Sequence, residues 1–115
     1  MTNFSELSLP EPLLRAARDL NYQNPTPIQE EVIPWLLDND KDLIALAQTG
    51  TGKTAAFGFP ALALTDVEKL VVQTLILCPT RELCMQIAGD LQSYGKHMPR
   101  IKSAAIYGGA PIYPQ

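Results

Sequence analysis

An α/β fold, with a parallel sheet covered by helices on both faces, is what this sequence predicts, and three observations carry that prediction. Three short apolar runs, 43–47, 74–78 and 103–107, alternate with stretches of helical periodicity in the order βαβαβ. The runs are continuously apolar rather than alternating, as strands buried on both faces are. The first run leads directly into Ala47-Gln48-Thr49-Gly50-Thr51-Gly52-Lys53-Thr54, the strand–turn–helix pattern of a phosphate-binding loop.

The elements follow in chain order. Residues 12–20 read as a short helix started by Pro10 and Pro12, with Leu13, Ala16, Ala17 and Leu20 on one face. Asn21-Tyr22-Gln23-Asn24-Pro25 is a turn. Thr26 suits the N-cap and Pro27 the first position of a second helix, whose apolar stripe is Ile28, Val32, Trp35 and Leu36. Pro34 is expected to bend or shorten it. A polar loop, 38–42, precedes the first strand. Helices are expected from about Lys53 to Leu64 and from about Thr80 to Tyr94, the latter after a strand closed by Pro79. The third strand runs into the breaker Gly108-Gly109.

Composition narrows the class. The 115 residues fit one domain of roughly 100–150 residues. With 46% hydrophobic and 18% charged residues the chain can bury a core. It contains no apolar run of the roughly 18 residues that a membrane helix needs. Its first residues lack the basic and apolar regions of a secretory signal. A cytoplasmic protein without membrane contact is therefore expected. Cys78 and Cys84 lack zinc spacing and read as buried, reduced thiols. His97 reads as a solvent-facing residue near a helix end. A net charge of −3 argues against a broad electrostatic footprint for nucleic acid. The basic residues Arg81, Lys96, Arg100 and Lys102 gather in the second half, where an anionic polymer is most readily placed, although scattered solvated charge explains them equally well.

The phosphate loop carries its chemistry openly. Backbone N–H groups of the turn converge on an anion, and the following helix adds partial positive charge. Lys53 would neutralise the β- and γ-phosphates, and the Thr54 hydroxyl would ligate Mg²⁺. Ala47 stands where the general pattern has Gly, but Gly50 and Gly52 remain where main chain must approach phosphate.

Three further constellations are ambiguous taken singly. In Pro25-Thr26-Pro27-Ile28-Gln29 the Gln29 amide matches the donor and acceptor edge of adenine, yet the same residues form a capping box, which is the simpler reading. Pro79-Thr80-Arg81-Glu82 stands where a strand ends and a helix begins, the place where open α/β sheets bind ligands. A Thr-capped helix with a solvated Arg–Glu pair accounts for it equally well. Gly108-Gly109 would admit a nucleic-acid backbone close to the main chain, or is an ordinary turn.

In order and spacing, Pro25–Gln29, Ala47–Thr54, Pro79–Gln86 and Gly108–Gly109 resemble the first RecA-like domain of a DEAD-box ATP-dependent RNA helicase, over nearly the whole chain. The resemblance implies a RecA-like P-loop NTPase fold in which residues 1–115 are the N-terminal portion of domain 1. Residues 3–30 would be the Q-motif region and residues 31–115 a partial ATP-binding domain. It implies that Gln29 reads adenine, that Phe4 and Tyr22 pack near the base, and that Thr26 holds the Q-motif loop against the phosphate loop. Ala47, Gln48, Thr49, Gly50, Thr51, Gly52, Lys53 and Thr54 would bind the phosphates of ATP or ADP with Mg²⁺, Lys53 and Thr54 serving the catalytic step. Pro79, Thr80, Arg81, Gly108 and Gly109 would hold the sugar-phosphate backbone of RNA without reading its sequence. Protein cofactors are left open. Asn21 stands where the family usually has Gly, and Asn tolerates positive φ.

The 115 residues contain no Asp-Glu-Ala-Asp segment, no Ser-Ala-Thr segment and no second RecA-like domain. The expectation is an incomplete sheet lacking the later strands, swapping or self-association of the isolated piece, and no ATPase or unwinding activity from it alone. Two other readings stand beside this one, a non-catalytic nucleotide- or partner-binding module and a P-loop DNA helicase.

Overall fold

The computed structural model describes residues 3–48 and 50–108. A single 3-10 turn, Phe4–Glu6, precedes four helices among these residues: α1 (Glu11–Asp19), α2 (Pro27–Asp38), α3 (Lys53–Ala63) and α4 (Arg81–Tyr94). Their limits lie within a residue or two of those expected, because the capping chemistry was explicit. Thr80 caps α4 by accepting from Leu83 N at 3.1 Å. α1 ends where Asn21 takes φ 60°, its N–H reaching Arg18 O while Tyr22 N reaches Ala17 O at 2.8 Å. That left-handed residue closes the helix as glycine commonly does. α2 continues through Pro34 to Asp38, so the proline does not shorten it.

α2 packs on α3, α3 on α4, and α1 on α4. Phe4, Leu7, Leu9, Leu13, Ile33 and Phe59 form the centre of the core they enclose. Phe59 stacks on Tyr94 with ring centroids 4.5 Å apart, and Phe4 lies 5.9 Å from Tyr22 and 6.0 Å from Phe59. α3 and α4 approach closely at Gly58, where a Cβ would sit 3.2 Å from Leu91 and Tyr94 side-chain atoms. Burial pushes the Tyr94 hydroxyl well above the usual phenol range, with Tyr22 and Asp90 adding to the effect.

Among the described residues no strand is present, and the three apolar runs share no backbone hydrogen bonds with one another. A parallel ladder is held by such bonds between chains about 4.8 Å apart, and among the described residues these runs make none. Their side chains stay open: Ile44 is 89% exposed, Leu46 90% and Leu77 85%.

Two smaller expectations also change. Cys78 and Cys84 are half-buried rather than buried, and both are free thiols. His97 does not face solvent. Its side chain is 18% exposed and its Nε2 lies 2.6 Å from Asp19 Oδ2, closing α1 onto the segment after α4. That contact, more than any other, holds the Asp19 carboxyl below its ordinary value.

Candidate functional site

The phosphate loop leaves its donors open. Gly50 and Gly52 adopt φ 83° and 84°, the left-handed region that glycine enters without a steric cost. Thr51 Oγ1 donates to Gln48 O at 2.6 Å and so braces the turn. No side chain caps α3. The first bond of that helix runs from Ala56 N to Gly52 O, so the N–H groups of Lys53, Thr54 and Ala55 have no carbonyl within the helix to reach. Lys53 is exposed and makes no ion pair among the described residues, and Thr54 is half-buried beside it. Uncapped N–H groups, a helix N-terminus and an uncommitted ammonium suit a phosphate chain. Thr49 lies outside the described residues.

Gln29 joins α2 to this loop. It is 4% exposed. Its Oε1 accepts from Thr26 N at 3.0 Å, and its Nε2 donates to Gly52 O at 3.1 Å. Thr26 and Gln29 thus occupy the two positions of a capping box. The reciprocal contact of Thr26 falls short of a hydrogen bond, and Thr26 Oγ1 is buried without a partner. A Cβ added at Gly52 would collide with Gln29 Nε2 and stand 3.1 Å from Thr26 Oγ1. The capping role and the link to the loop coexist, because an amide carries two donors and two acceptor lone pairs. One of each remains unused in Gln29.

Phe4 and Tyr22 sit together, their rings stacked with centroids 5.9 Å apart. They line a cavity of about 410 Å³ with Leu14, Asn21 and Asn24, which neither Gln29 nor the loop residues enter. Phe4 belongs to the core, its N–H tied to Gln23 O at 3.3 Å, while Tyr22 is half-buried.

The second pair of candidate segments does come together. Pro79, Thr80 and Arg81 are exposed at the start of α4, and Gly108 is exposed after the third apolar run. The Arg81 guanidinium lies over the Tyr107 ring, 5.9 Å from its centroid, and Cys84 Sγ reaches Ile106 O at 3.8 Å. Gly109 lies outside the described residues. Nothing in the spacing of the sequence signalled that Tyr107 would meet Arg81, since the contact spans a whole helix and its return. Among the described residues no cluster of three His, Cys, Asp or Glu side chains could hold a metal ion.

Comparison with known proteins places this geometry. The family model for DEAD/DEAH box helicase matches residues 26–115. The ATP-dependent RNA helicase DeaD of Escherichia coli (strain K12) is 48% identical over 108 residues, which is 94% of this chain and 17% of that protein. Among solved structures, a DEAD box protein from Methanococcus jannaschii aligns with a TM-score of 0.85 at 37% identity, over 99% of this chain and 31% of its own. Saccharomyces cerevisiae Dbp5 bound to RNA and ADP BeF3 aligns with a TM-score of 0.85 at 34% identity, over 95% of this chain and 29% of its own. The chain therefore spans about a sixth of the curated relative and under a third of either solved chain.

Proposed function

The chain belongs to the DEAD/DEAH box helicase family, and from that premise we propose that it forms the nucleotide- and RNA-binding start of an ATP-dependent RNA helicase working in the cytoplasm. Residues 1–115 would be the N-terminal portion of the first RecA-like domain, with 3–30 as the Q-motif region and 31–115 as part of the ATP-binding unit. In the whole domain the three apolar runs would take their places in a parallel sheet with helices on both faces.

The observation that carries the nucleotide reading is the Gln29 bridge to the Gly52 carbonyl. One amide holds the start of α2 against the phosphate loop and still keeps one donor and one acceptor. Adenine presents the complementary pair in N7 and the N6 amino group. Guanine has a carbonyl where adenine has that amino group, so the Gln29 acceptor would meet an acceptor. The turn Ala47–Thr54 would surround the phosphates, Lys53 would balance their charge, and the Thr54 hydroxyl would supply one ligand to a nucleotide-borne Mg²⁺. When bound, that ion neutralises charge between the β- and γ-phosphates. Pro79, Thr80, Arg81 and Gly108 would hold an RNA backbone, and ATP turnover would need further residues beyond these.

Calorimetric titration with ADP and GDP tests the reading. ADP is expected to bind and GDP to bind at least tenfold more weakly, with Gln29→Ala removing the preference. Equal binding of both nucleotides by the unmodified protein would reject an adenine-reading Gln29.

A further inference from the structure

Arg81 is the exposed cation of the candidate RNA surface, and its placement is the question that surface raises. Among the described residues no carboxylate pairs with it. Its backbone is set by the α4 N-cap, but a long exposed arginine side chain samples many rotamers, and ordering it opposes any contact it makes. Among the described residues the Tyr107 ring faces it, 5.9 Å from the guanidinium carbon.

We propose that Tyr107 is a positioning residue for RNA: its ring face holds the Arg81 guanidinium by cation–π attraction and presents it to the strand's phosphates. The inference rests on the RNA reading of Pro79–Arg81 and Gly108. A guanidinium lying on a ring keeps its N–H edge free, and that edge forms the bidentate contact with phosphate. Tyr107 is itself held in place. It is half-buried, and the preceding carbonyl, Ile106 O, receives Cys84 Sγ from the first turns of α4. The same contact thus ties the chain around Gly108 to the start of α4, so the two candidate RNA segments are aligned by side chains that need not touch RNA.

The test is equilibrium binding of a fluorescein-labelled single-stranded oligouridine to the full-length protein at several salt concentrations. The variants are Tyr107→Phe, Tyr107→Trp, Tyr107→Leu and Arg81→Gln, with each Tyr107 variant also combined with Arg81→Gln. Arg81→Gln should weaken binding and reduce the salt slope by about 0.7, the loss of one phosphate contact on a single strand. Phe should bind like the parent and Trp more tightly, Trp offering the strongest cation–π face. Leu should weaken binding about two- to fivefold, the size of an exposed cation–π contact. In the Arg81→Gln background the order among ring variants should vanish. Retained affinity for ADP reports folding of each variant, and the Phe and Trp pair carries the test if Leu does not fold.

An order that persists without Arg81 overturns the proposal, because Tyr107 would then act on RNA by itself. A flat order in the parent background overturns it as well. An Arg81→Gln variant that binds RNA unchanged rejects the RNA reading of Arg81 and the inference with it. A weakened Arg81→Gln with a flat ring order rejects the inference alone.

Discussion

Gly52 and Gln29 are the residues whose roles depend most tightly on each other. Gly52 needs φ 84° and has Gln29 Nε2 where a side chain would go. Gly52→Ala is therefore expected to destabilise the protein by about 1–2 kcal/mol, by backbone strain and the broken amide bond. It should also abolish ADP binding. A melting curve and a titration on the same sample check both effects. Lys53 makes the contrasting case. It is exposed and makes no ion pair among the described residues, so Lys53→Ala should change stability by less than about 0.5 kcal/mol while ADP affinity falls at least tenfold. Loss of folding in this variant would show that the lysine has a structural role.

The polar link between Asp19 of α1 and His97, just beyond α4, should respond to acid. The Asp19 carboxyl is lowered below 3.8, first by its hydrogen bond with His97. A carboxylate whose folded value is depressed contributes stability above its unfolded value and loses it as pH falls through the folded value. Stability should therefore rise with pH in the window between that lowered value and about 3.8, and His97→Ala should flatten this part of the curve. Urea unfolding between about pH 2.5 and 5, where ordinary carboxylates also titrate, reads the difference between the two proteins. An unchanged curve would leave the contact without energetic weight. At the exposed start of α4, Thr80→Ala removes the hydroxyl that accepts from Leu83 N and should cost about 1 kcal/mol.

For the molecule as a whole, the open apolar runs decide behaviour in solution. Ile44, Leu46, Val72, Leu75, Leu77 and Ile106 are all exposed, and unpaired apolar backbone of this kind pairs readily with another chain. The 115-residue chain studied by itself is expected to self-associate in light scattering at micromolar concentration. Leu46→Lys together with Leu77→Lys should suppress the association without lowering the melting temperature, since neither side chain is packed. A compact monomer in the parent sequence would contradict this.

Much of the site was legible in the residues. Gly50, Gly52, Lys53 and Thr54 announced a tight turn running into a helix, and that is the geometry found, because φ preference and capping act within a few residues. Asn21 was flagged as able to take positive φ, and it does. Both proposed uses of Gln29 were also visible, but only its proximity to Gly52 O showed that the cap leaves the amide spare capacity. His97 and the two cysteines were misplaced for the opposite reason, since their burial depends on what packs against them from distant parts of the chain. The apolar runs read as strands, yet a strand is a relation between neighbours, and among the described residues no ladder hydrogen bonds join these runs. Local rules therefore determined the helices, their ends and the phosphate turn. The contacts of Gln29 with Gly52, Tyr107 with Arg81 and Asp19 with His97 were decided only by tertiary structure, because each joins residues that sequence spacing leaves far apart and packing brings together.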